Sequence, residues 1–239
     1  MVAVINLTSA SNNMETFLAN WDSGFTANYG AFWNANDGIV AQPSPTTTYD
    51  QWGAGISGDR GIVLDGSMQY SQGNLSGTVN TITLGSGFSQ SNAGGNSVSG
   101  DLVITNDPSF DTSAPGDLFD FAIYELTVNG SSSGLYNYLA AVGTEINDTP
   151  GTDLLVGFGG ADTFVFSGGV DAVTAGSAGT FGYQDGVDTL DVSAWGATSF
   201  SSLSVFQFAG NAVVLFGANG IVLEDSNASD LDASDFLFA

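Results

Sequence analysis

The residues of this chain best placed to do chemistry are aspartates on a regular step. Gly151-Thr-Asp153, Gly160-Ala-Asp162 and Gly169-Val-Asp171 repeat a Gly-x-Asp unit every nine residues, and Leu155, Phe164 or Val173 stands two places after each Asp. Glycine lets a tight turn reach φ > 0 and aim its carbonyls inward, aspartate brings charge, and the apolar residue opens a short buried strand. Two such nonapeptides make one turn of a coil, so Asp153 and Asp171 are expected to stack one turn apart with a cation between them. Oxygen-only donors of this kind suit Ca2+. The candidate metal-ligating residues are therefore Asp153, Gly160, Asp162, Gly169 and Asp171, with Asp185 and Asp188 of Tyr183-Gln-Asp185-Gly-Val-Asp188 as further ligands. Ordinary Gly-Asp turns in an acidic chain are the plainer alternative, but they do not explain why three units keep register with their apolar partners.

The charge balance favours the metal reading. One basic residue, Arg60, faces 25 acidic ones, for a net charge of −24. Most of the acid is aspartate, a turn former and poor helix former, so it belongs to loops rather than helix faces. Side chains cannot neutralise it, and self-repulsion opposes compaction unless cations relieve it. Nucleic acid and anionic membrane surfaces are excluded as partners, because both require a basic patch. The chain has no histidine and no cysteine. Ser-His-Asp and Cys-His nucleophiles, thiolate metal sites, disulfides and histidine switching are thereby removed. A carboxylate-pair glycosidase is the common hydrolase chemistry left, and no glutamate pair stands out for it, so no enzymatic activity is expected. MVAVINLTSAS lacks the basic and long apolar regions of a Sec signal, and no run approaches a membrane span.

These motifs need elements to hold them. Residues 2–7 read as a strand, and Asn12 or Asn13 caps a helix to about Phe25 with Phe17, Leu18, Trp21 and Phe25 on one face. Residues 26–60 read as turn-rich and aromatic. Gly61–Leu64, Ser67–Ser71, Gly77–Leu84, Gly100–Thr105 and Asp117–Val128 read as β-like runs separated by Gly/Ser/Asn clusters. Ser131-Ser132-Ser133 opens a second helix carrying Leu135, Leu139, Val142 and Ile146, broken at Asp148-Thr149-Pro150-Gly151. The domain boundary is placed there, giving domains 1–147 and 148–239. The fold expected is α+β, a curved antiparallel sheet with few helices, followed by an all-β domain built as a parallel β-roll or sandwich.

Residues 148–174 resemble an RTX (repeats-in-toxin) block in degenerate form. Asp148-Thr149 and Phe166-Ser167 stand at glycine-pair positions, and Phe158 replaces the second glycine of the middle unit. The stretch from Tyr183 to Ser193 is similar to the segment that closes the β-roll of serralysin-type exoproteins. Asp230-Leu-Asp232-Ala-Ser-Asp235-Phe-Leu-Phe-Ala239 is similar to C-terminal type I secretion signals.

Residues 1–147 resemble the HasA-type haem-acquisition haemophores through Phe17-Leu-Ala-Asn-Trp21-Asp-Ser-Gly-Phe25, Gly66-Ser-Met-Gln-Tyr70, Leu75-Ser-Gly-Thr-Val-Asn-Thr-Ile-Thr-Leu-Gly85 and the helix from Ser133 to Ala141. That resemblance implies haem held by a first-loop histidine and a second-loop tyrosine. Tyr70 matches the tyrosine, Gly30 beside Tyr29 takes the place of the histidine, and about Gly73 takes that of the supporting histidine. A neutral phenol is a weak ligand without a neighbouring base.

The combined expectation is a secreted, calcium-binding, non-enzymatic extracellular protein. It would be exported unfolded by type I machinery and would self-associate as a surface, filament or matrix subunit, with Val2–Leu7 and Phe236–Phe238 as strands offered to neighbours. The alternatives are haem binding through Tyr70 and Tyr29, and a glycan platform of Trp21, Phe32, Trp33 and Trp52.

Overall fold

In the computed structural model, residues 2–110, 117–177 and 179–239 are described, with backbone alone over 106–110. The elements in chain order are β1 (Ala3–Leu7), α1 (Met14–Gly24), β2 (Ala31–Asn34), β3 (Gly38–Val40), β4 (Tyr49–Gly55), β5 (Gly61–Ser71), β6 (Asn74–Gly85), β7 (Ser89–Ser91), β8 (Gly95–Ser97), β9 (Leu102–Phe110), α2 (Leu118–Tyr124) and α3 (Ser133–Val142). They continue as β10 (Thr144–Asn147), β11 (Leu154–Leu155), β12 (Asp162–Val165), β13 (Val170–Val173), β14 (Thr189–Asp191), β15 (Ser204–Phe208), β16 (Asn211–Phe216), β17 (Asn219–Leu223) and β18 (Phe236–Leu237). The described residues are thus mainly strand with few helices. None of those helices is long and apolar enough to cross a membrane.

The chain divides into two compact units, one of residues 19–138 and one joining 2–18 to 139–239. This division differs from a boundary at 147/148, because the first strand and the segment after Leu139 pack with the Gly/Asp repeats.

In the 19–138 unit an antiparallel sheet runs in the order β9-β6-β5-β4-β2-β3. The runs Gly61–Leu64 and Ser67–Ser71 form one strand, β5, whose register to β6 shifts at Asp65/Gly66. The supposedly turn-rich stretch 26–60 supplies three strands, and its aromatics Phe32, Tyr49 and Trp52 are buried. Asp117–Val128, read as strand, is helical instead. The Asp117 carboxylate accepts from the Asp120 N–H at 2.8 Å, and Phe119, Ala122 and Leu126 are fully buried at a spacing of three and four. A side-chain cap and a 3.6-residue apolar period outweigh β propensity in so short a run.

In the second unit, α1 begins at an Asn13 cap that accepts from the Thr16 N–H at 2.9 Å. Met14 rather than Phe17 joins Leu18 in the buried stripe. Helix α3 stops earlier than its apolar spacing implies: Gly143 takes φ +76°, and Ile146 lies on strand β10 instead. A left-handed glycine at the helix end reverses the chain and frees the next residues to pair as strand.

From there the chain alternates between two sets of parallel strands. β10, β12, β14 and β18 belong to one set, headed by β1, while β11, β13 and β17 belong to the other. The second set is finished by the antiparallel hairpins β17-β16-β15. Leu155, Phe164, Val173 and Leu190 point inward and are 0% exposed, so each apolar residue two places after an Asp goes to the core. Both chain-end strands are engaged within this unit: β1 pairs with β10 and β18 with β14. β18 pairs with β14 on one side and ends its sheet, so among the described residues its other edge carries no strand.

Candidate metal centre

Parallel pairing turns the sequence period into two columns of aspartates. On one edge Leu154 pairs with Ala172 and Leu155 with Val173, so Asp153 and Asp171 stand side by side, 18 residues apart. On the other edge Thr144 pairs with Asp162, and Thr163 pairs with Thr189, which brings Asp188 next to Asp162 across 26 residues. Gly186-Val-Asp188 is thus a fourth Gly-x-Asp unit. An insertion after Val173 breaks the nine-residue step and hides this unit from a search by period.

Asp153, Asp162 and Asp188 reach back along the chain, and Asp171 and Asp188 reach across to a neighbour. The Thr149, Phe158 and Gln184 N–H groups donate to the Asp153, Asp162 and Asp188 carboxylates, each four residues on, at 3.2, 2.8 and 2.8 Å. Across the coil the Asp153 N–H donates to Asp171 at 3.0 Å and the Asp162 N–H to Asp188 at 2.9 Å. The glycines do two jobs here. Gly169 takes φ +107° and sits so close to the Gly151 carbonyl that an added Cβ would lie 2.0 Å from its oxygen. Gly160 has an ordinary φ, and its role is close approach, a Cβ there falling 2.1 Å from the Ala140 carbonyl oxygen. Gly169→Ala should cost roughly 3 kcal/mol or more from left-handed strain plus the clash, lowering the melting temperature by about 6 °C or more. A thermal melt of the variant checks this, and an unchanged midpoint would contradict it.

The Asp153/Asp171 edge gathers a third carboxylate. Oxygens of Asp148, Asp153 and Asp171 all lie within 4.8 Å of one another. Two oxygens bound to one calcium at about 2.3–2.6 Å can be at most about 5 Å apart, so the three can share an ion. Asp148 accepts from the Ser167 N–H at 2.9 and 3.0 Å, and Asp153 accepts from the Thr149 hydroxyl at 2.9 and 3.0 Å. The second oxygen of Asp171 is buried and accepts nothing. Asp171 itself is 2% exposed. Burial, with Asp148 and Asp153 adding repulsion, pushes its carboxyl up to about 7. Burial also raises Asp148 and Asp153. No lysine or arginine belongs to this unit, since the chain's one basic side chain, Arg60, lies in the other. A buried carboxylate oxygen without a donor calls for a proton or a cation.

Asp148 was missed by the repeat reading because it occupies a glycine position. Its signal was an acid five residues before Asp153 in a repeat that otherwise spares that place. Asp185 is exposed and faces Asp235, Asp230 and Asp232 rather than the three-carboxylate cluster. Asp235 accepts from the Tyr183 hydroxyl at 2.7 Å.

Tyr70 and Tyr29, the residues matched to a haem site, lie in the 19–138 unit. The Tyr70 oxygen accepts from the Gly73 N–H at 3.2 Å at the end of the β5–β6 hairpin, with its ring on Phe32. Tyr29 is 80% exposed, and its carbonyl accepts from Trp52. The chain's lack of histidine leaves Tyr70 without the base that would make its phenol a strong iron ligand. Haem added to the wild type and to Tyr70→Phe should give the same absorption spectrum; a Soret band lost in the variant would make Tyr70 a ligand. Trp21, Phe32 and Trp52 are core residues and offer no stacking face for a sugar.

No protein-family model matches the chain, and comparison with curated proteins finds no significant match.

Proposed function

We propose that the chain is a calcium-binding, non-enzymatic extracellular protein whose parallel coil works as an RTX-like β-roll and is stabilised by a bound cation. The observation that carries this reading is the buried, unpartnered oxygen of Asp171 between Asp148 and Asp153 in a unit with no basic side chain. Calcium at millimolar levels is an extracellular condition, so a chain of this kind stays loose while it is threaded through a type I exporter and orders outside. Its acidic surface agrees with that location, because net charge far from zero keeps a chain soluble during transit. Self-association as a surface or filament subunit is supported by composition and by β18, which pairs with β14 and ends its sheet.

Calcium titrated into the EDTA-stripped chain should bind saturably and increase β-type circular dichroism. Identical spectra and melting temperatures in EDTA and in millimolar calcium would end the proposal.

A further inference from the structure

We infer that only one edge of the coil depends on a cation: Asp148, Asp153 and Asp171 hold a single calcium, while the opposite Asp162/Asp188 edge closes without metal. This inference rests on the calcium reading above and divides it between two faces.

The two edges share the same Gly-x-Asp repeat and differ in how their oxygens are used. On the Asp162/Asp188 edge all four carboxylate oxygens accept from the protein. Asp162 takes the Thr144 hydroxyl at 2.5 Å and the Phe158 N–H at 2.8 Å. Asp188 takes the Asp162 N–H at 2.9 Å and the Gln184 N–H at 2.8 Å. Both side chains are almost fully buried, and no third carboxylate joins them in a cluster among the described residues. On the Asp153/Asp171 edge one oxygen of Asp171 has no donor, and a third acid stands beside it.

One residue on each side accounts for the difference. Thr144 occupies the place in register with Asp162 where a strict coil would carry another aspartate, so a donor replaces an acceptor and every carboxylate oxygen of that column is hydrogen-bonded. Asp148 does the reverse, putting an acceptor and a charge where the repeat has glycine. Charge-assisted hydrogen bonds satisfy the first column, whereas the second can be satisfied only from outside the chain. Oxygen ligands from three aspartates define the class of ion, a hard divalent cation with calcium as the fit.

The test is calorimetric titration of calcium into the EDTA-stripped full chain. One equivalent should bind. Asp148→Asn should weaken it at least tenfold, while Asp188→Asn should leave the affinity within about threefold. Asp188→Asn should instead lower the melting temperature by the same amount with and without calcium. Should that variant fail to fold, Thr144→Val removes one donor from the same column and must give the same pattern. Two or more sites of similar affinity, or loss of binding in Asp188→Asn or Thr144→Val, would overturn the asymmetry while leaving the calcium reading intact. No binding at all would remove both.

Discussion

Transfer from EDTA to millimolar calcium should raise the melting temperature by about 5–10 °C. The magnitude follows from linkage: a ligand at a hundred times its dissociation constant stabilises the folded state by ~2.7 kcal/mol. For a chain of this size each kcal/mol moves the midpoint by about 2–4 °C. The sharper form of the prediction concerns Asp171→Asn at pH 8. The amide keeps the oxygen that accepts from the Asp153 N–H and places a donor where the carboxylate oxygen has no partner. It also removes one of three neighbouring charges. The variant should therefore be more stable than the wild type in EDTA and lose most of its response to calcium. A variant that is destabilised in EDTA and still gains from calcium would show that Asp171 is not where the ion binds. Replacing a buried acid usually destabilises because hydrogen bonds are lost; the opposite sign here identifies an acid waiting for a cation.

Without calcium, stability should fall as pH rises from about 5 to 8, the reverse of ordinary acid denaturation. Asp171 is raised to about 7 and Asp188 to about 6, both chiefly by burial. Asp148 and Asp153 face the first and Asp162 the second, each adding repulsion. A carboxyl whose folded value lies above its unfolded value of about 4 binds its proton more tightly when folded. Its stabilisation is complete below about pH 4 and is lost as the pH climbs through 6 and 7. The two groups together make a difference on the order of a few kcal/mol, and general repulsion in a chain of net charge −24 acts in the same direction. Saturating calcium should remove the Asp171 share by taking the proton's place and leave the smaller Asp188 share. Melting curves from pH 5 to 8 in EDTA and in calcium measure both; a midpoint that rises with pH in EDTA would contradict the burial of these acids.

Much of the coil was legible in sequence because its period is local. A Gly-x-Asp unit with an apolar residue two places on needs no distant partner to be recognised, and Asp153 and Asp171 meet as the step of nine requires. Helix α1 was legible for the same reason, since Asn13 and the buried Leu18 and Trp21 lie within three turns of one another. Where short-range signals competed, the reading failed. Asp117–Val128 is rich in residues that favour strands, yet a single aspartate cap and the burial of Phe119 tip it to helix. Gly143 ends α3 where apolar spacing alone would carry it on to Ile146.

What only tertiary structure decided is the role of each acid. Composition and period set which aspartates recur and that they must meet either protons or cations, because the chain has almost no basic residues to offer them. Whether a given carboxylate is already satisfied depends on the residue brought beside it by parallel pairing, and such partners lie far off in sequence. Thr144 answers Asp162 from 18 residues away, and Asp162 answers Asp188 from 26. Asp148 joins Asp153 and Asp171 only when the coil returns on itself. Hydrogen-bond complementarity is a property of pairs in space, so a repeat that looks uniform along the chain folds into one edge whose carboxylate oxygens all accept from the protein and one where an Asp171 oxygen has no donor.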